Sequence, residues 1–166
     1  MANRLVEQKL VDSNKRLLVK YVFISDGTAA DNVTLFRANT LNFAINATGQ
    51  ISNTNPQAHY GMSIKRAWGS CHSNGSIILK WLSGANTEIL TFSDGRFDYN
   101  FDGEVGTGAI PSPDTTSTVG LCFTASGVVT GENYTIILDM KKDNSDFDAG
   151  QTADPMAFNT GVRGLT

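Results

Sequence analysis

Tyr134-Thr135-Ile136-Ile137-Leu138-Asp139-Met140-Lys141 is the stretch that decides the fold. Tyr134, Ile136, Leu138 and Met140 alternate with Thr135, Ile137, Asp139 and Lys141. A period of two sends alternate side chains to opposite faces of a sheet. Working outward, Phe97, Tyr99 and Phe101 alternate with Asp98, Asn100 and Asp102. Ile77, Leu79 and Trp81 alternate with Ile78, Lys80 and Leu82. Leu17-Leu18-Val19 and Tyr21-Val22-Phe23-Ile24 are apolar on both faces, which places the Lys15–Ser25 strand centrally in a sheet.

Turn chemistry divides the runs. Ser73-Asn74-Gly75 and Ser83-Gly84-Ala85-Asn86 read as hairpin turns, and Asp94-Gly95 is a strong short hairpin signal. Further strands are expected over Arg4–Ser13, Val33–Phe36, Tyr60–Ser70, Ser76–Ser83, Thr87–Ser93, Val119–Ala125 and Glu132–Lys141. Gly103–Thr118 reads as a long loop. One helix is expected after Thr40 as N-cap, with Leu41, Ala44 and Ile45 on one face and Gly49 past its end, although Leu41, Phe43 and Ile45 also alternate as in a strand. The chain predicts an all-β fold: an antiparallel β-sandwich or jelly-roll-like barrel with an extended N-terminal arm and a C-terminal tail. The expected division is a β-domain over 1–142 and an extended tail over 143–166, because the tail has no sustained period.

At 166 residues the chain is one domain by size, large enough to bury about 68–70% of its unfolded surface. Charged residues make up 17%, below the usual value of about 25%. A net charge of −3 offers no large basic field, so nucleic acid is not an expected partner. The charge is uneven. Arg4, Lys9, Lys15, Arg16 and Lys20 are five of the 13 cations and fall in the first 20 positions. From Asp143 onward there are four aspartates and one cation, Arg163. Two readings follow: solvated ends, or oppositely charged ends that dock on neighbouring subunits. No stretch has the form of a signal peptide or the ~18 apolar residues of a membrane span, so no membrane partner is expected.

Sites for chemistry are few. Asp98-Tyr99-Asn100-Phe101-Asp102-Gly103 matches the first half of an EF-hand loop, but Ala109 stands where the bidentate glutamate belongs. The aromatics between these carboxylates read as a strand with its polar face out, although Glu104 could add an oxygen for calcium, and the Asp143-Asn144-Ser145-Asp146-Phe147-Asp148 cluster reads as a solvated turn. Cys71-His72 lacks a second pair of zinc ligands, and Cys71 and Cys122 read as reduced. No Gly-x-Ser-x-Gly or phosphate-binding glycine loop occurs. No metal, cofactor or catalytic residue is expected, and the chain is not expected to be an enzyme. Trp68, Trp81, Tyr60 and Tyr99 are candidates for a sugar-stacking face, with Trp81 more consistent with core.

The stretch Arg4-Leu-Val-Glu-Gln-Lys-Leu-Val-Asp-Ser-Asn-Lys-Arg16, continuing Leu17-Leu-Val-Lys-Tyr-Val-Phe-Ile-Ser-Asp-Gly27-Thr, resembles small virion structural proteins of marine and cyanobacterial tailed bacteriophages. The tail Lys142-Asp-Asn-Ser-Asp-Phe-Asp-Ala-Gly-Gln-Thr-Ala-Asp-Pro155 adds to the likeness. The resemblance implies a particle component: a head decoration (cement) protein on the capsid surface, or a neck or tail part. Its implied partners are the major capsid protein and copies of itself, as a homo-oligomer. A carbohydrate-binding β-sandwich is the alternative from another class. The residues expected to meet a partner are Arg4, Lys9, Lys15, Arg16, Phe147, Met156, Phe158 and Arg163.

Overall fold

The computed structural model describes residues 2–101, 109–113 and 120–147. Its strands are β1 (Arg4–Asp12), β2 (Arg16–Ile24), β3 (Ala30–Arg37), β4 (Met62–Leu82), β5 (Glu88–Asn100), β6 (Ile110–Pro111), β7 (Gly120–Ser126) and β8 (Asn133–Lys142). A 3-10 turn (Ala38–Thr40) and one helical turn, α1 (Asn144–Phe147), complete the described elements. All pairings between these strands are antiparallel. The order is β1-β2-β8-β4-β7-β3, with β5 and β6 also on β4. The fold is all-β, and the sheet curls into a half-barrel.

Sequence alternation explains the two faces. Leu17, Val19, Tyr21 and Phe23 of β2 are buried, while Leu18, Lys20, Val22 and Ile24 between them are half-buried. β2 lies between β1 and β8, the central position its apolar character implies. Tyr134, Ile136, Leu138 and Met140 point to the same core from β8, and Ile77, Leu79 and Trp81 from β4. The curl closes this core. Phe23 on β2 meets Phe123 on β7 edge-to-face at 5.2 Å, and the Tyr21 hydroxyl donates to the Leu35 carbonyl of β3 at 3.5 Å.

β4 is the axis of the curl. β5 follows one of its edges along nearly its whole length. On the other edge β8 pairs with residues 62–70 and β7 with residues 76–82. Two expected hairpin turns meet where these halves join. Cys71 pairs with Gly95 and Ser76 with Ser93, so residues 72–75 stand opposite Asp94 alone. Ser73-Asn74-Gly75 and Asp94-Gly95 are therefore bulges in paired strands, not chain reversals. Asp94 (φ 59°) and Gly95 (φ 94°) have turn-like backbone, but here it bends a continuous strand. The Tyr134 ring packs against Gly75, where a Cβ would lie 2.7 Å from it. Only the Ser83–Asn86 signal is a true reversal, joining β4 to β5.

The expected helix after Thr40 does not form. Phe43 has φ 65°, and Ile45 bridges to Ile51. The Asn46 carboxamide oxygen accepts from the backbone of Thr48 (3.0 Å) and Gln50 (2.9 Å), a local turn that competes with helix. Leu41, Ala44 and Ile45 are still buried, as their spacing required.

Of the tail expected over 143–166, residues 148–166 lie outside the described residues. Asp143–Phe147 is part of the β-domain. The Asp143 amide donates to the Gly61 carbonyl, and the Ile45 amide to the Asp146 carbonyl, both at 2.9 Å. Phe147 is fully buried, its ring 5.6 Å from that of Tyr60. β6, a two-residue strand against Ser63 and Ile64, lies within the expected Gly103–Thr118 loop.

Candidate functional site

β1 is an edge strand: it pairs with β2 and, among the described strands, with nothing else. Residues 6 to 10 are exposed without interruption. Val6 (45% exposed) and Leu10 (50%) are the two most exposed large apolar side chains among the described residues. Arg4, Lys9 and Lys15 are exposed at this margin. Lys9 lies 3.7 Å from Glu7 and 4.0 Å from Asp12. Arg16 is committed elsewhere. Its Nε and Nη2 donate to the two carboxylate oxygens of Asp139 at 2.8 and 3.0 Å. That fork raises the guanidinium above its ordinary pKa. Phe147 is core, so it is not a partner anchor. Met156, Phe158 and Arg163 lie outside the described residues.

Behind this edge lies a buried polar seam. Lys142 is fully buried and contacts Asp12, whose side chain is also nearly inaccessible. The Lys142 Nζ donates to the Asn42 carbonyl at 2.9 Å, and the Asn42 amide donates to Asp12 Oδ2 at 3.2 Å. The Phe147 ring lies 4.9 Å from the ammonium. Burial holds the Lys142 amine below its ordinary pKa, against the opposing pull of Asp12. The seam thus ties the end of β1, the 42 turn, the end of β8 and α1 together. It positions the base of the β1 edge.

A second feature lies on β5. Phe97, Tyr99 and Phe101 form a ladder, with centroids 6.2 and 6.4 Å apart and interplanar angles of 30° and 6°. Phe97 also stacks on buried Phe92 at 3.9 Å. Tyr99 is 41% exposed. Of the other sugar-stacking candidates, Tyr60 and Trp81 are buried. Trp68 is half-buried under the Arg66 guanidinium, 4.7 Å from its ring centre.

The candidate oxygen sites are engaged within the chain. Arg66 donates to both Asp98 oxygens at 2.9 and 2.7 Å and holds that carboxyl below the ordinary range. Asp102, Gly103 and Glu104 lie outside the described residues, while Ala109 is described. Asp143 accepts from the Ser145 amide and hydroxyl, and Asp146 from the Gly61 amide. Cys71 and Cys122 are buried free thiols, and burial pushes Cys71 up to about 11. His72 lies instead 3.5 Å from Glu132. Among the described residues, no group of three or more His, Cys, Asp or Glu side chains converges as a metal site. A cleft of about 340 Å³ opens between the start of β4, Pro111-Ser112, Lys141 and Asp143.

No protein-family model, curated protein or solved structure matches this chain. Two features escaped the sequence reading. Lys142 follows Met140 by two, so the β8 alternation itself turns it inward. Asp12, its partner 130 residues away, gave no such signal.

Proposed function

We propose that this protein is a non-enzymatic structural component of a bacteriophage virion, a decoration (cement) protein bound to the outer head lattice. The observation that carries the proposal is the exposed β1 edge with Arg4, Lys9, Val6 and Leu10. This edge lies within the N-terminal stretch that resembles phage virion proteins. An edge strand offers unpaired backbone donors and acceptors to a neighbour, and half-exposed apolar side chains add area to that contact. The buried seam anchors the far end of β1, so pulling on the edge loads the whole domain. Modest contacts repeated over a lattice sum to a large barrier against shell opening. The major capsid protein and further copies of this chain are the partners.

Cryo-electron microscopy of the particle tests the proposal. Density repeated over the head is expected, with β1 facing a neighbour. Density at the neck or tail would make the protein a connector, and its absence from a particle would sink the virion reading. Deleting residues 148–166 keeps the Phe147 anchor and tests whether the C-terminal segment is needed for capsid occupancy.

The Phe97–Tyr99–Phe101 ladder favours a second reading, carbohydrate binding, because flat aromatic faces suit the apolar face of a sugar ring. Tyr99→Ala should then abolish retention on a glycan array. An array with no hit for the wild-type chain removes this reading.

A further inference from the structure

The β1 sequence is self-complementary about Gln8. When two antiparallel copies are related by a two-fold axis at Gln8, Glu7 faces Lys9 of the second copy and Lys9 faces its Glu7. Val6 then faces Leu10, and Leu10 faces Val6. We propose that the edge of β1 left unpaired among the described strands pairs antiparallel with β1 of a second copy over Val6–Leu10, joining two half-barrels through one continuous sheet. This deepens the proposed function and rests on it for its setting on a particle, naming a second copy as the partner of the edge.

Three observations favour this edge and this register. First, β1 is the most regular of the edges left unpaired among the described strands. Arg4 to Lys9 pair with β2 residue by residue without a break. β3 loses register twice within eight residues, and β5 is bent at Asp94-Gly95.

Second, the side chains sort correctly. Glu7 and Lys9 sit opposite buried Tyr21 and Val19, so both project to the same face of the sheet. Across a two-fold axis they meet as opposite charges, at the spacing where cross-strand pairs interact. Shifting the axis to lie between Val6 and Glu7 would set Arg4 against Lys9. Parallel in-register pairing would set Glu7 against Glu7. Like charges placed opposite one another are destabilising, so the alternatives are disfavoured.

Third, pairing would cover the two most exposed large apolar side chains, Val6 and Leu10, with each other. A lysine on an edge strand ordinarily discourages strand addition. Glu7 at the two-fold-related position turns that repulsion into attraction. Leu10 is the residue at which the β1–β2 register slips, and it marks the end of the proposed contact.

Sedimentation equilibrium of the full chain at low ionic strength tests the pairing without any particle, so its result is separate from the cryo-microscopy result. A reversible dimer is expected. Glu7→Lys and Lys9→Glu should each weaken it about tenfold or more, since each sets like charges across both pairs. Both side chains are more than one-third exposed, and thermal melts would check that the folds are kept. The double variant E7K/K9E restores the opposite-charge pattern and should restore the dimer. Mixing the two single variants should yield a heterodimer, because each then faces its opposite. Wild-type protein that stays monomeric to about 1 mM overturns the proposal. So does a dimer indifferent to both single reversals, which would use another surface.

Discussion

Two ion-paired regions of this protein use the same chemistry in opposite surroundings. At the seam, Lys142 and Asp12 are both inaccessible, and Asn42 and Phe147 complete the shell around them. On the outer face of the sheet, Arg66 holds Asp98 with two short bonds, and both side chains are about half exposed. By geometry the exposed pair is the better one: a guanidinium fork on a carboxylate. By consequence it is the lesser one, because water solvates either partner once the other is gone. At the seam no water waits to take over. Breaking that pair leaves a buried charge without compensation. The contrast teaches that environment, more than geometry, sets what an ion pair does for a fold.

Asp12→Ala should have the largest effect. It strands the Lys142 ammonium and should destabilise the domain by about 3–5 kcal/mol in chemical denaturation. Arg66→Ala should shift the midpoint far less. Equal effects would mean that water reaches the seam. Phe147→Ala comes next. It removes the ring from both the ammonium and Tyr60, with an expected loss of about 3–5 kcal/mol, toward the lower end if Tyr60 and its neighbours collapse into the space. No loss would show that α1 is not part of the core.

Salt separates the two regions more gently. Raising ionic strength to 1 M shortens the screening length to about 3 Å and should erase the Arg66–Asp98 coupling measured in a double-mutant cycle. The Asp12–Lys142 coupling should survive, since no counterion reaches it. The smallest effect is in acid. Arg66 holds the folded Asp98 carboxyl below its ordinary 3.8. The unfolded chain therefore takes up that proton first as pH falls. The contribution of Asp98 is full above about pH 3.8 and is lost as pH drops through the folded value. Carboxyl titration by NMR should place Asp98 below that value, and Arg66→Ala should return it. An Asp98 that titrates normally in the wild type would count against the fork.

Legibility in the sequence followed the range of the interaction. The faces of β2, β4 and β8 were readable because alternation is a property of neighbours along the chain. Tyr134, Ile136, Leu138 and Met140 are all buried, as are Ile77, Leu79 and Trp81. The Ser83–Asn86 reversal was readable because the bond that closes it, from the Asn86 amide to the Ser83 carbonyl, is local. Ser73–Gly75 and Asp94-Gly95 carried equally good turn signals, yet β4 and β5 continue through them as bent strands. The burial of Leu41, Ala44 and Ile45 was readable too, but not the backbone that achieves it, because Asn46 bonds its own neighbours. Among the partner candidates, the exposure of Arg4, Lys9 and Lys15 fits a surface role. Arg16 and Phe147 looked similar in sequence and are engaged by Asp139 and by the core.

Residue order alone dictates the class of fold, the two faces of the central strands and the self-complementary charge order of β1. Each depends only on residue spacing along one strand. Only contacts distant in sequence decide which glycine-bearing breaks reverse the chain, that residues 143–147 pack on the β-domain and which charges are buried. An Asn-Gly or Asp-Gly step permits either a turn or a bulge. The choice falls to the strands on either side, and β5 on one edge with β7 and β8 on the other hold β4 extended through its bend. The β8 alternation turns Lys142 inward, but its charge can stay buried only because Asp12 and Asn42, distant in sequence, and the nearby Phe147 close around it.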